Sequence, residues 1–313
     1  MTDNVLELRE VTKRYGDFTA VDRVDLDVPA GSIYGFLGPN GAGKTTTLRM
    51  ILEIIKPTSG TITVLGHSSA LAVRQRIGYL PEEKGLYKKM KAWSIVAYFA
   101  SLKGLSRRDA AARAHELLER YGLGEFANAR TEALSKGMSQ KVQVLAAIAH
   151  DPDLVILDEP FSGLDPVNQQ VMEQVIEDMA SRGKTILFST HVMQHAERIC
   201  DRILLIASGR KVFDGSIEAA KMTMPPRVRL TSDDDVTPLL LLDGVLDGQA
   251  VQDDGAPPGT WDLTVEEGLD SQSLLQVCFE SGIRLKNFDR SDPTLHDVFV
   301  HLVGRDAAEV RHR

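Results

Sequence analysis

Residues 38–45 read GPNGAGKT and fit G-x-x-x-x-G-K-S/T in full. The pattern works only where a strand feeds the loop and a helix leaves it. SIYGFL, residues 32–37, is a short apolar run of the buried-strand kind, and TTTLRMILEII after the loop has the apolar spacing of a helix. Gly38, Gly41 and Gly43 can take positive φ or let the backbone close on an anion. The loop's N–H groups and the helix N-terminus then form a cradle for phosphates. The candidate nucleotide-binding segment is Gly38, Pro39, Asn40, Gly41, Ala42, Gly43, Lys44, Thr45 and Thr46. Lys44 supplies a mobile charge for β- and γ-phosphates, and Thr45 a hydroxyl for Mg²⁺.

The chain has 313 residues, 43% hydrophobic and 26% charged, which suits a soluble protein of two domains. No apolar run approaches the ~18 residues of a membrane span. MTDNVLELRE lacks the basic and apolar regions of a signal peptide. The two cysteines, Cys200 and Cys278, have no metal-ligand spacing and do not point to an oxidising compartment. These features predict a cytosolic protein, or one held on the cytosolic face of a membrane by a partner. Net charge is −8 and lies almost wholly at one end. Residues 225–313 carry 17 acidic and 8 basic side chains, against 27 and 28 in the remainder. Phosphate backbones are bound by Lys and Arg, so this distribution argues against a nucleic-acid partner.

VLELREVTKRY and VDRVDLDV alternate like half-buried antiparallel strands, and PTSGTITVLG adds another after a turn. From Ala92 to about Ser135 the pattern is helical, with Ser106 a predicted N-cap. DLVILDEP and KTILFSTH are continuous apolar runs ending in polar residues, as strands covered on both faces of an α/β sheet do. RILLIASGRKVFDG reads as a hairpin turning at Ser208 and Gly209. Beyond Pro226, the segments RVRLT, VTPLLLL, QAVQDD, TWDLTV, SQSLLQVCFESG and RLKNFDR read β, α, β, β, α, β, the order of a ferredoxin-like module. The helix TLHDVFVHLVG follows, and the Leu239–Leu242 run is expected in a core.

In LVILDEP, four apolar residues place Asp158 and Glu159 at a strand's carboxyl end. One carboxylate there can hold Mg²⁺ through water, and the other can polarise a water for in-line attack on a γ-phosphate. His191 and His195 have i, i+4 spacing, but no Glu follows the first His as a zinc protease requires. The basic run KGLYKKMKAW reads equally as a solvated loop or as a contact surface for membrane subunits or lipid headgroups.

The ordered set of GPNGAGKT, LSKGMSQK, LVILDEP, SGLD and His191 resembles the ATP-binding subunit of ABC transporters over about residues 4–220. The resemblance identifies GPNGAGKT with Walker A, LVILDEP with Walker B and SGLD with the D-loop. It makes His191 the histidine that senses γ-phosphate and Tyr15 the aromatic that stacks on adenine. The signature, usually LSGGQ, is here Leu134-Ser135-Lys136-Gly137-Met138. Ser135 and Gly137 keep the hydroxyl and amide that face phosphate. Glu82 in GYLPEE stands where the family usually has a Gln that reaches Mg²⁺, so Thr45, Asp158 and Glu82 are the implied metal residues. GYLPEE and the helix Leu295-His296-Asp297-Val298-Phe299 resemble a branch of bacterial sodium-efflux and drug-export ATPases with an extra C-terminal domain.

The implied fold is an α/β P-loop ABC cassette over residues 1–222. It has a mixed-sheet core, an antiparallel β subdomain and a helical subdomain at about 88–135. A small α+β domain at 225–304 and a tail at 305–313 complete the chain. The implied function is ATP binding and Mg²⁺-dependent hydrolysis that drives a separate membrane permease, in an exporter of sodium or a drug-like substrate. Glu159 and His191 would be its catalytic residues. Phosphate loop and signature lie on opposite sides of such a monomer, so a homo- or heterodimer would complete each site, at the inner face of the cell membrane. The alternatives are a soluble ABC-type ATPase of translation or DNA repair, a P-loop kinase for small molecules, and a binding module that no longer hydrolyses.

Overall fold

In the computed structural model the described residues are 4–311, except 83, 84, 86, 88, 252–256 and 267. Alternating apolar residues in β1 (Asn4–Tyr15) and β2 (Phe18–Pro29) pair the two strands as an antiparallel ribbon, with Leu6, Leu8, Val24 and Leu26 turned into a core. All five residues of β3 (Ile33–Leu37) are buried. The glycine loop follows, then α1 (Lys44–Ile51), and β4 (Ser59–Val64) returns to pair with β1, giving the order β2-β1-β4.

After β5 (Ile77–Leu80) come three helices, α2 (Ala92–Leu102), α3 (Arg107–Arg120) and α4 (Lys136–Ile148). Ser106 caps α3 by accepting the Asp109 N–H, and Ser135 caps α4 by accepting the Met138 N–H. The helical reading for 92–135 is interrupted, because residues between α3 and α4 form turns and a short 3₁₀ segment at Thr131–Ala133. The remaining elements of this unit are β6 (Leu154–Asp158), α5 (Pro166–Ala180), β7 (Thr185–Thr190), α6 (Met193–Ile199), β8 (Arg202–Ala207) and β9 (Arg210–Ser216). The central sheet runs β5-β6-β7-β3-β8-β9, parallel except for β9. The β8–β9 hairpin turns at Ser208 and Gly209, both at positive φ as a tight hairpin demands.

The chain divides into two compact units, Met1–Ile217 and Glu218–Arg313, within α7 (Ile217–Lys221). In the second unit follow β10 (Arg227–Ser232), α8 (Thr237–Leu240), β11 (Val245–Ala250), β12 (Thr260–Val265), α9 (Ser271–Glu280), β13 (Leu285–Ser291) and α10 (Leu295–Arg311). The sheet is antiparallel throughout in the order β11-β12-β10-β13, which matches the ferredoxin-like reading. Val228, Leu230, Leu263 and Leu274 form its core.

Three local expectations are corrected. The second strand of this unit is Val245–Ala250, because Val245 and Ala250 register against Val265 and Trp261 of β12; residues 252–254 of QAVQDD lie outside the described residues. Of the Leu239–Leu242 run, Leu239 is buried while Leu241 is exposed, since α8 lasts a single turn and presents one side inward. Residues 305–311, read as a tail, continue α10. That helix starts on a reciprocal Thr294–Asp297 cap, and its later residues include strong helix formers. Leu263→Ala should destabilise the second unit by about 2–5 kcal/mol, the usual cost of emptying a fully buried leucine site. Calorimetry on the full chain measures it, and an unchanged melting profile would contradict the assigned core.

Candidate active site

Parallel pairing sets Asp158 beside Ser189 and Leu37 beside Thr190, so β6, β7 and β3 end together. The loops leaving these ends carry the polar groups of the site, where open α/β sheets bind ligands. Gly43 could not be another residue without shifting backbone, because a Cβ there would lie 2.6 Å from the Ala20 carbonyl oxygen, at φ +103°. Pro39, Asn40 and Gly41 are exposed; Ala42 is buried and accepts the Gly209 N–H through its carbonyl. Thr46 lies half-buried in the first turn of α1.

Lys44 is buried and curls back over the loop, donating to the carbonyls of Gly38 at 2.7 Å and Pro39 at 3.2 Å. Its Nζ is 3.6 Å from Glu159 Oε1. Two unit charges about 4 Å apart at an effective dielectric of about 20 attract by about 4 kcal/mol, so incoming phosphates compete with an existing partner. Glu159 is itself buried, and His191 Nδ1 donates to its carboxylate from 3.0 Å of each oxygen. Because a carboxylate only accepts, Nδ1 carries the ring proton and Nε2 is left for other contacts. Glu159 also adopts φ +50°, a left-handed turn that costs a non-glycine residue about 1–3 kcal/mol and marks a site held by its surroundings.

Asp158 is 1% exposed. Thr45 donates to its Oδ1 at 3.3 Å, Ser189 also donates to Oδ1, and Oδ2 is buried with no partner. Burial raises the Asp158 pKa, while the Ser189 and Thr45 bonds oppose the rise. A buried, half-satisfied carboxylate beside a hydroxyl is an all-oxygen donor set of the type Mg²⁺ takes, with phosphate and water completing the shell. The residues present therefore fit that ion.

Lys44, Thr45, Asp158, Glu159 and His191 are thus linked in one network through Ser189, whose hydroxyl bonds both the Glu159 N–H and Asp158. The other candidates do not join it. Glu82 lies two residues beyond β5 in an exposed bend, and among the described residues no three His, Cys, Asp or Glu side chains converge as metal ligands. Of the implied metal residues Thr45, Asp158 and Glu82, only Thr45 and Asp158 are bonded to each other among the described residues. Tyr15, at the end of β1, is half-exposed, with the Lys13 ammonium 4.9 Å from its ring centre. Ser135 and Gly137 make no bond to the phosphate loop among the described residues. Gly137 is buried where a Cβ would meet the Asn168 amide nitrogen at 2.6 Å, and Lys136 reaches across Gly163. Burial lowers the pKa of His195, which stacks on Phe161 at 4.3 Å with a Glu173 oxygen 3.9 Å away. It lines the same small cavity as Glu159 and His191. The basic run at 84–93 lies partly outside the described residues.

Sequence reading passed over Ser189 and Gln140. Gln140, buried in α4, donates to the Pro160 carbonyl at 3.0 Å and ties the helix after the signature to the turn after Glu159. A polar residue inside an apolar run, as Ser189 is in ILFST, was the available signal.

The ABC transporter family model matches residues 21–162, and that of the ATP-binding protein DrrA1-3-like C-terminal domain matches 222–303. The chain is 39% identical over 301 residues to the uncharacterized ABC transporter ATP-binding protein YhaQ of Bacillus subtilis (strain 168), covering 96% of this chain and 99% of the relative. It is 41% identical over 214 residues to the Nod factor export ATP-binding protein I of Cupriavidus metallidurans, covering 67% and 71%. A solved dimeric ATP-binding cassette in a post-hydrolysis state, bound to ADP and Pi, is similar in fold, with TM-score 0.62 and 26% identity over 67% of this chain and 98% of the other. This chain belongs to the ABC transporter ATP-binding proteins and is an ATPase of that family. Such subunits pair with a membrane permease and dimerise. No helix among the described residues is long and apolar enough to cross a membrane.

Lys44→Ala removes the loop's one mobile cation. It should weaken ATP binding by about 10–150-fold, the scale of losing a charged hydrogen bond. Titration with a fluorescent ATP analogue measures this, and wild-type affinity in the variant would refute the assignment of the loop.

Proposed function

We infer that the chain is the ATPase of an exporter and works as a dimer at the cytosolic face of a membrane, driving a separate permease. The observation that carries the hydrolytic part is the network of Lys44, Thr45, Asp158, Glu159 and His191, joined through Ser189 at three adjacent strand ends. In this reading Lys44 and the loop N–H groups hold the β- and γ-phosphates, with Tyr15 against the base. Thr45 and Asp158 hold Mg²⁺, whose charge offsets that of the phosphates. Glu82, in the exposed bend after β5, is the further candidate for the ion. The Glu159 carboxylate, oriented by Lys44 and His191, aligns the attacking water and takes its proton. His191 Nε2 faces the γ-phosphate. Ser135 and Gly137 reach the nucleotide of the other subunit, which makes hydrolysis depend on dimerisation.

Export is the favoured direction, supported by the likeness to a Nod factor export protein and by the second unit's match to the DrrA1-3-like C-terminal domain. The substrate class, sodium or a drug-like molecule, rests on the sequence resemblance. The cassette in this reading spans 1–222, and the accessory domain begins at 225.

Glu159→Gln should bind MgATP but hydrolyse it at least ~10²-fold more slowly, the contribution of a positioned base. The variant should then accumulate as an ATP-bound dimer. Size-exclusion chromatography with and without ATP, beside a phosphate-release assay, tests this. A monomer in both conditions with unchanged hydrolysis would remove Glu159 from the mechanism.

A further inference from the structure

Ser189, the penultimate residue of β7, is fully buried between the two acidic residues of the neighbouring strand end. Its hydroxyl accepts the Glu159 N–H at 3.0 Å and donates to Asp158 Oδ1. Asp158 as a carboxylate can only accept and a backbone N–H can only donate, so the proton directions are determined. A serine in a sheet interior is costly unless its hydroxyl is satisfied. Here both bonds fall on the residues that the proposed reaction uses.

Each bond constrains a different group. The Glu159 N–H is shared between Ser189 Oγ and the Ser189 carbonyl, at 3.0 and 3.2 Å, which holds Glu159 in its left-handed turn. That turn sets the carboxylate against Lys44 and His191. The second bond, with the one from Thr45, occupies Asp158 Oδ1 and leaves buried Oδ2 unpartnered. An alanine at 189 would release the Asp158 rotamer while the backbone bond between 189 and 159 remained.

We propose that Ser189 is a positioning residue of the hydrolytic site: one hydroxyl fixes the Glu159 turn and presents the free oxygen of Asp158 to Mg²⁺. This rests on the assignment of Asp158 to the metal and Glu159 to the water. Partners that orient a metal ligand are worth 10–100-fold in metal affinity or activity.

The test uses the full-length protein with Ser189→Ala, Ser189→Cys, Ser189→Thr and Glu159→Gln. Ser189→Ala should lower kcat by about 10–100-fold with KM for ATP changed by less than about threefold. Mn²⁺ binding to the ADP complex, followed by electron paramagnetic resonance, should weaken by about tenfold or more. Ser189→Cys fills the same space with a weak donor and should fold as the wild type does but follow the alanine variant. Ser189→Thr keeps the hydroxyl and should restore both quantities to within about threefold. Wild-type kcat and Mn²⁺ affinity in the folded alanine or cysteine variant would overturn the proposal and leave Ser189 a packing residue. Glu159→Gln separates the two layers. If it is slow while Ser189→Ala is normal, only the Ser189 assignment fails; if it hydrolyses normally, the reading of the base fails as well.

Discussion

Parallel pairing of β6, β7 and β3 is the constraint on which the rest of the site depends. Neighbouring strands lie about 4.8 Å apart, so three strands that end in register place three loops within about 10 Å of one another. β3, β6 and β7 are buried along their whole length, and their polar residues reach a ligand only at the carboxyl ends. The phosphate loop, the Asp158–Glu159 turn and His191 are therefore neighbours as a consequence of strand order β6-β7-β3. Slipping β7 by one residue would break the register of Asp158 with Ser189 and turn Ser189 to the other face of the sheet.

Within that frame the site is an arrangement of charges held away from water. Lys44, Asp158 and Glu159 are all buried, and each is partly compensated inside the protein. Lys44 finds two loop carbonyls and Glu159; Glu159 finds Lys44 and His191; Asp158 finds two hydroxyls but keeps one bare oxygen. An anion at the loop and a cation at Asp158 would complete this pattern together. Low local dielectric makes each such contact stronger than it would be at the surface, and preorganised groups need little rearrangement as charge develops.

The departures from the family pattern have local accommodation. Lys136 replaces the signature's first Gly and stretches over Gly163, where positive φ and the missing side chain leave room. Gly137 keeps its identity because Asn168 occupies the space a Cβ would take, and Asn168 is in turn bonded to Asp165. The signature and the SGLD segment are thus packed on each other inside one chain. Glu82 departs differently: its exposed position leaves the added carboxylate in solvent, where it costs little.

Much of this was legible in the residues. A glycine loop between an apolar run and a helical pattern has few physical solutions, and apolar strands ending in Asp-Glu or Thr-His carry their functional groups at a defined end. Lys44, Asp158 and Glu159 were located by those local patterns and His191 by the resemblance to the ABC transporter subunit, while the β, α, β, β, α, β order of the second unit came from its local patterns. Other features depend on distance in space between residues distant in sequence. Nothing local says that Ser189 lies beside Asp158 or that Gln140 reaches Pro160. The second strand's placement came from its register with β12, and the continuation of α10 through 305–311 from a cap and helix propensity that a boundary drawn at Gly304 ignored. Local chemistry determined which residues could bind phosphate and move a proton. Strand order and burial decided which of them meet, because only packing brings separate segments within hydrogen-bond reach.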